Sequence, residues 1–186
     1  MGCHGGFTLD DATRRSWYNP EAILQDLSSG MVFIDIGSAD GFFSILAAKK
    51  VGKNGKVYAV DADASAIEKL KNKAKAENLK NITATVGEAE ETIFCIKCAD
   101  FIFYSMVLHD FADPTKVLKN ANQMIKPNGH LINLDWKKID MPLGPPARIR
   151  FSREKASSLI QAAGFQIDTT KEAGNYHYLI IAKPSP

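Results

Sequence analysis

Asp35-Ile36-Gly37-Ser38-Ala39-Asp40-Gly41 places three small residues at alternate positions directly after an apolar run. Asp61 stands twenty residues beyond Gly41, at the end of a second apolar run. Small residues at 37, 39 and 41 remove side-chain bulk where the backbone turns, so a ligand can approach the chain closely. A helix opening at Gly41 offers backbone N–H groups to a carboxylate or another modest anion. An acid at a strand end accepts hydrogen bonds from ribose hydroxyls. Together these features describe a site for a nucleoside-bearing cofactor. A dinucleotide fits poorly, because G-x-G-x-x-G requires glycine or alanine at position 42, which is Phe42. No lysine of the P-loop type follows the turn, so a triphosphate fits poorly as well.

Such a turn must be held by a strand before it and a helix after it. Residues 31–36 have the length and Val/Ile/Phe content of a buried parallel strand. The spacing predicts a helix over 41–50 stopped by Gly52, then a turn at Asn54-Gly55 and a strand over 56–61. Asp63 caps a helix over 64–77 whose Ala66, Ile67, Leu70 and Ala74 share one face, while its lysines read as a solvated face. Further strands are expected over 81–86, 99–104 and 130–134, with Asp113-Pro114 opening the helix between the last two. Asn19-Pro20 opens a short helix to about residue 27. After the loop MPLGPP come a helix from near residue 152 to Gly164 and a closing hairpin of 165–171 with 176–182. The alternating β/α order supports a parallel sheet.

The 35–41 turn and the acid at 61 resemble motif I and the following acidic strand of class I S-adenosylmethionine-dependent methyltransferases. GSADG stands where that family usually has G-x-G-x-G, and Ala39 replaces the middle glycine. The likeness covers nearly everything from Tyr18 onward, and is similar in kind to the type 11 and quinone-biosynthesis small-molecule groups. It implies a Rossmann-like α/β three-layer sandwich. The seven-stranded, mostly parallel sheet would have the order 3-2-1-4-5-7-6 with the last strand antiparallel. A single domain over 1–186 is expected, with an N-terminal segment to residue 30, a cofactor-binding core over 31–135 and a closing part over 136–186.

The implied cofactor is S-adenosyl-L-methionine, with S-adenosyl-L-homocysteine as product. The resemblance assigns its contacts to Asp35, Gly37, Ser38, Ala39, Gly41, Asp61, Ala62, Gly87, Glu88, Ala89, Tyr104 and Ser105. Gly87-Glu88-Ala89-Glu90 resembles the segment that meets the adenine, where Glu88 would accept from the amino group. Both acids could instead favour the N-terminus of a following helix. The 105–109 segment would lie beside the reacting methyl.

The implied chemistry is an in-line displacement by an N, O, S or C nucleophile of a small-molecule acceptor. His109 could act as its general base. A structural histidine is preferred, because methyl transfer from a sulfonium often needs only positioning. Trp136, Tyr176 and His177 could wall the acceptor pocket or simply pack at the sheet edge, and Trp17 and Tyr18 could cover the cofactor. Arg148, Arg150 and Arg153 read as basic residues of a solvated loop in preference to an anion holder. Two other classes stay open: a nicotinamide-dependent Rossmann oxidoreductase, and a cofactor-binding partner subunit without catalysis.

A chain of 186 residues, 45% hydrophobic, suits one enzyme-sized core, and a net charge of +2 from 23 basic and 21 acidic residues disfavours nucleic acid as substrate. MGCHGGFTLD lacks the basic start and apolar core of a signal peptide, and no stretch has the length to span a bilayer, so a cytoplasmic protein is expected. A homo-oligomer that closes the site stays open. Cys3, Cys95 and Cys98 form no disulfide framework, and the lone C-x-x-C has no second pair to complete a zinc site. Free thiols and no metal are expected, with Cys3 and His4 in a mobile tail.

Overall fold

Strands that are apolar on both faces must be covered on both, and this sets the architecture. The computed structural model describes residues 10–186, so Cys3 and His4 lie outside the described residues. In chain order the elements are α1 (Asp11–Trp17), α2 (Pro20–Ile23), β1 (Val32–Ile36), α3 (Phe42–Val51), β2 (Lys56–Asp61), α4 (Ala64–Ala76) and β3 (Ile82–Val86). After a 3-10 turn at Ala89–Glu91 follow β4 (Ala99–Ser105), α5 (Pro114–Met124), β5 (Ile125–Trp136), α6 (Arg153–Ala162), β6 (Phe165–Ala173) and β7 (His177–Pro184).

The strands form one sheet in the order β3-β2-β1-β4-β5-β7-β6, parallel from β3 to β5 and antiparallel at β5/β7 and β7/β6. Side-chain alternation sends Ile34, Ile36, Ile102, Tyr104, Leu131 and Ile180 to one face, beneath α5 and α6. Phe33, Phe103, Ile132, Leu134 and Leu179 take the other face, beneath α2 and α3. A third cluster of Ala59, Ile67 and Leu70 seats α4 over β2. The strand order reverses between β1 and β4, and the crevice outside their carboxyl ends is where such sheets take ligands.

Three elements differ from expectation: α2 ends at Ile23, short of the expected residue 27, and the other two are β5 and α1. β5 begins at Ile125, five residues before His130, because Ile125 pairs with Ala99 before the register shifts and resumes at Phe101–His130. The Pro127-Asn128-Gly129 stretch is therefore a bulged strand entry. The third difference is α1, whose seven residues are too few to show a helical period. Its start is fixed by the Asp10 carboxylate, which accepts from Thr13 N at 2.8 Å. Its end packs so closely on the β6–β7 hairpin that a Cβ at Gly174, where φ is +69°, would lie 1.8 Å from the Trp17 carbonyl oxygen.

Cys95 and Cys98 are joined in a disulfide with Cα atoms 6.0 Å apart, which corrects the expectation of free thiols. Four-residue C-x-x-C spacing lets a tight turn bring the two sulfurs together.

Candidate functional site

The 37–41 turn is bonded to the neighbouring strand end. Gly37 N and Ser38 N donate to the Val60 carbonyl at 2.9 and 3.0 Å. Ala39 N donates to Asp61 Oδ2 at 2.8 Å, and Asp63 N donates to Asp61 Oδ1 at 2.9 Å. The Asp61 carboxylate thus fixes the turn, and its remaining lone pairs can still accept from a ligand. Ala39 has φ +47°, in the left-handed region that glycine occupies without cost. Ala39→Gly should therefore raise stability by about 0.5 kcal/mol, the relief of left-handed strain less the extra freedom of the unfolded chain. Urea unfolding checks this, and a loss of stability would show that the alanine methyl packs usefully.

Two cavities open at the carboxyl ends of β1 and β4 and meet at Gly37. The larger, about 320 Å³, has Asp61, Ala62, Gly87, Glu88 and Ala89 on one side and Val107, Asp110 and Phe111 on the other. The smaller, about 70 Å³, is lined by Arg14, Asp35, Ser38, Ala39, Phe43, Ser105 and Met106. A Cβ at Gly37 would sit 2.6 Å from Val107 Cγ2, so any side chain there would collide with Val107 at the residue the two cavities share.

The smaller cavity holds buried polar atoms without protein partners: Asp35 Oδ1, Ser38 Oγ and Arg14 Nε. Asp35 Oδ2 accepts from Ser44 Oγ at 2.6 Å. Burial pushes the Asp35 carboxyl up to about 7, with Ser44 opposing and the Asp61 charge adding to the rise. Arg14 NH2 lies 3.2 Å from Asp40 Oδ1, and Lys73 Nζ holds the other oxygen of that carboxylate at 2.7 Å. Across the cavity Met106 has φ +57°, held by its N–H donating to the Leu134 carbonyl at 2.7 Å. A methionine in this strained region turns the chain out of β4 at the cavity edge.

Ten of the twelve residues expected at the cofactor therefore line one cavity or both. Gly41 and Tyr104 line neither: Gly41 precedes α3 as its N-cap, and strand alternation points Tyr104 into the opposite core. Arg14, Phe43 and Phe111 were not expected, whereas Met106 and Val107 come from the 105–109 segment expected beside the reacting methyl. Arg14 carries no local sequence signal, because only the packing of α1 brings it to the cavity. Glu88 precedes a 3-10 turn, not a full helix, which leaves little helix dipole for it to serve.

His109 lines neither cavity. Its Nδ1 lies 2.9 Å from Asp135 Oδ1, and both side chains are enclosed on the α5/α6 face. Burial pulls the His109 pKa down, and the hydrogen bond and charge of Asp135 outweigh it, so the net displacement is upward. Asp135 was missed because an acid inside an apolar strand gives no motif.

Trp136 and His177 are cross-strand neighbours with ring centroids 4.2 Å apart. Trp17 lies 5.4 Å from Trp136, 5.8 Å from His177 and 6.3 Å from Tyr176, so α1 and the hairpin build one aromatic cluster. Both ring nitrogens of His177 lack partners. Burial, with Lys137 and Arg150 nearby, lowers its pKa to about 3, so the ring is neutral at neutral pH. Arg150 is not solvated, contrary to expectation. It is 2% exposed, and its guanidinium donates to the carbonyls of Lys137, Ile139, Leu143 and Pro145.

The profile of a family described as "Methyltransferase domain" matches residues 27–173. A crystal structure of an S-adenosylmethionine-dependent methyltransferase from Aquifex aeolicus superposes with a TM-score of 0.88 at 30% identity, over 93% of each chain. The ubiquinone/menaquinone biosynthesis C-methyltransferase UbiE of Hydrogenovibrio crunogenus is 26% identical over 130 residues, 69% of this chain and 51% of its own length. The demethylmenaquinone methyltransferase of Bacillus mycoides is 26% identical over 127 residues, 68% of this chain and 54% of its own. The chain thus spans about half the length of the curated relatives it matches.

Proposed function

The chain belongs to the family of S-adenosylmethionine-dependent methyltransferase domains, and from that premise we propose that it holds the cofactor across its two cavities and methylates a small-molecule acceptor. The observation that carries this is the meeting of the cavities at Gly37, with the Asp61 carboxylate in the larger and three unpartnered buried polar atoms in the smaller. A ligand with a nucleoside at one end and a charged amino-acid group at the other matches that division.

In this reading Asp61 accepts from the ribose hydroxyls and Glu88 from the adenine amino group, while Val107 and Phe111 cover the ring on its apolar side. Asp35 Oδ1 takes the methionine ammonium, and Arg14 and Ser38 face the carboxylate. The bound cofactor supplies an already activated methyl group, so the chain's own task is alignment and exclusion of water. Ser105 and Met106 border the reacting end. Trp136 and Tyr176, with Trp17 above them, wall the acceptor side. His109, enclosed and paired with Asp135, holds the 106–110 segment in place. Residues 10–186 act together as one domain in this account, and among them no helix is long and apolar enough to cross a membrane.

Calorimetric titration with S-adenosylmethionine, S-adenosylhomocysteine and NAD tests the assignment. The first two are expected to bind saturably and NAD not at all; saturable binding of NAD alone would transfer the chain to the oxidoreductase class. Asp61→Ala should weaken S-adenosylhomocysteine by about 1 to 3 kcal/mol, the range for hydrogen bonds to a charged group. Unchanged affinity would remove Asp61 from the ribose site. Transfer of a labelled methyl group to fractionated cell extract then separates an enzyme from a binding-only protein.

A further inference from the structure

The segment between the Ala89–Glu91 turn and β4 carries a pair of cysteines that the cofactor cavities do not use. Cys95 and Cys98 are bonded and both partly accessible, in a stretch that also exposes Ile93 at 43% and Ile96 at 66%. Lys97, inside the ring, has φ +49°, a left-handed conformation that lysine rarely adopts. The C-terminal half of the ring is tied down: Lys97 N and Cys98 N donate to the Gln123 and Met124 carbonyls at 2.9 Å, and Lys97 Nζ donates to the Asn122 carbonyl at 2.7 Å. Upstream of the disulfide ring, Phe94 N donates to Met124 Sδ at 3.3 Å and the Phe94 side chain stacks on Tyr58 with centroids 5.0 Å apart, and before it Thr92 donates through Oγ1 to the Glu88 carbonyl at 2.7 Å and through N–H to the Ala89 carbonyl at 3.3 Å. Glu88 and Ala89 are wall residues of the larger cavity. The disulfide therefore closes a turn that is held to α5 on its C-terminal side and leads, through Phe94 and Thr92, into the cavity wall on its N-terminal side.

We propose that Cys95 and Cys98 form a reversible dithiol–disulfide site that exchanges with small disulfides of the glutathione type, and that the closed form orders the cavity wall at residues 88–92. The thiolate of one cysteine attacks a sulfur of the small disulfide, forming a mixed disulfide and expelling one thiolate. The second cysteine, as thiolate, then attacks the protein-side sulfur, closing the ring and expelling the other. The protein's two thiols lose two electrons and two protons, and the small disulfide is reduced to two thiols. Ring closure dominates over a lasting adduct because the second sulfur is held one turn away at high effective concentration. Opening the ring removes the covalent constraint on the left-handed Lys97 and on the stretch that leads to Thr92, leaving both to their hydrogen bonds and packing alone. A pair that is partly accessible, with neither cysteine fully buried, suits reversible exchange rather than permanent cross-linking.

The test equilibrates the full chain in graded ratios of reduced to oxidised glutathione, quenches with an alkylating agent and maps the peptides by mass. The 95–98 peptide should pass from two alkyl groups to a closed disulfide with almost no glutathione adduct, whereas Cys95→Ser should carry a stable adduct on Cys98. Amide exchange at residues 88–92 should be about tenfold faster in the reduced wild-type chain than in the oxidised one, with the β4 core unchanged. Both readouts are independent of whether the protein binds S-adenosylmethionine. Independent alkylation of the two cysteines at every ratio would overturn the site, and equal exchange at 88–92 in both states would overturn its link to the cavity wall.

Discussion

Asp35→Asn is expected to make the ligand-free protein about 2 kcal/mol more stable at pH 8 while weakening S-adenosylhomocysteine on the order of a hundredfold. Asp35 is 1% exposed, one of its oxygens has no partner, and burial raises its pKa from 3.8 to about 7. Below pH 3.8 the carboxyl is protonated in both folded and unfolded chains and contributes no slope. Between there and about pH 7 the unfolded chain gives up the proton and the folded chain keeps it, so stability falls as pH rises, then levels off. At about 1.4 kcal/mol per unit, the loss approaches roughly 4 kcal/mol by pH 8. Asparagine does not titrate and can still accept from Ser44, but its amide N–H₂ meets the space of the unpartnered oxygen and returns about 2 kcal/mol as an unsatisfied donor. Urea unfolding at pH 4, 6 and 8 should therefore give curves for wild type and variant that cross, and their difference isolates Asp35 from other titrating groups such as His177. A variant that follows the wild-type slope would assign the fall to other residues. The affinity loss has the opposite sign because a ligand ammonium would replace water as the partner of the ionised carboxylate. On the same ground, wild-type affinity should rise between pH 6 and 8.

Local chemistry was readable wherever one stretch of chain does a complete job. The 35–41 turn, Asp61 and the 87–89 segment each stand at or just after a strand end, so sequence order alone brought their positions to one sheet end, and all of them except Gly41, the core residue Ile36 and the buried, ion-paired Asp40 line a cavity. The strand order followed from the family resemblance and holds in full. What stayed hidden depends on contacts between distant segments. Arg14 reaches the smaller cavity because α1 packs on α3, where its guanidinium lies 5.0 Å from the Phe42 ring centroid. His109 looked like a candidate base because its type and position suit one. Its actual partner is Asp135, 26 residues away on the next strand. Arg150 looked like one of three solvated cations because charge patterning reports composition, not direction. The fold turns its guanidinium inward, toward carbonyls that no β-ladder or helix satisfies.

Arg150→Met should cost on the order of 4 kcal/mol and lower the melting temperature by about 10 °C, the second large effect expected in this protein. The guanidinium accounts for the shape of residues 137–150: donor distances are 3.1 Å to Lys137, 3.0 Å to Ile139, 2.7 Å to Leu143 and 2.6 Å to Pro145. A loop without regular structure must find partners for its carbonyls, and this one converges them on a single planar donor, which a lysine could not match in number or geometry. Methionine keeps much of the length and apolar volume, so the loss measures the donor rather than a cavity. Arg150→Lys should recover only a minor part of it. The released loop also bears on the aromatic cluster, because a Cβ at Gly144 would lie 2.8 Å from the Trp136 ring, so the loop backbone forms one wall around that indole. Trp136 fluorescence should therefore shift to the red in the variant, while the cofactor cavities, built on the other side of β4, keep their affinity for S-adenosylhomocysteine. A Met variant with unchanged melting temperature and emission would show that water satisfies these carbonyls as well as Arg150 does. Loss of cofactor affinity along with stability would show that the loop and the cofactor site unfold as one unit.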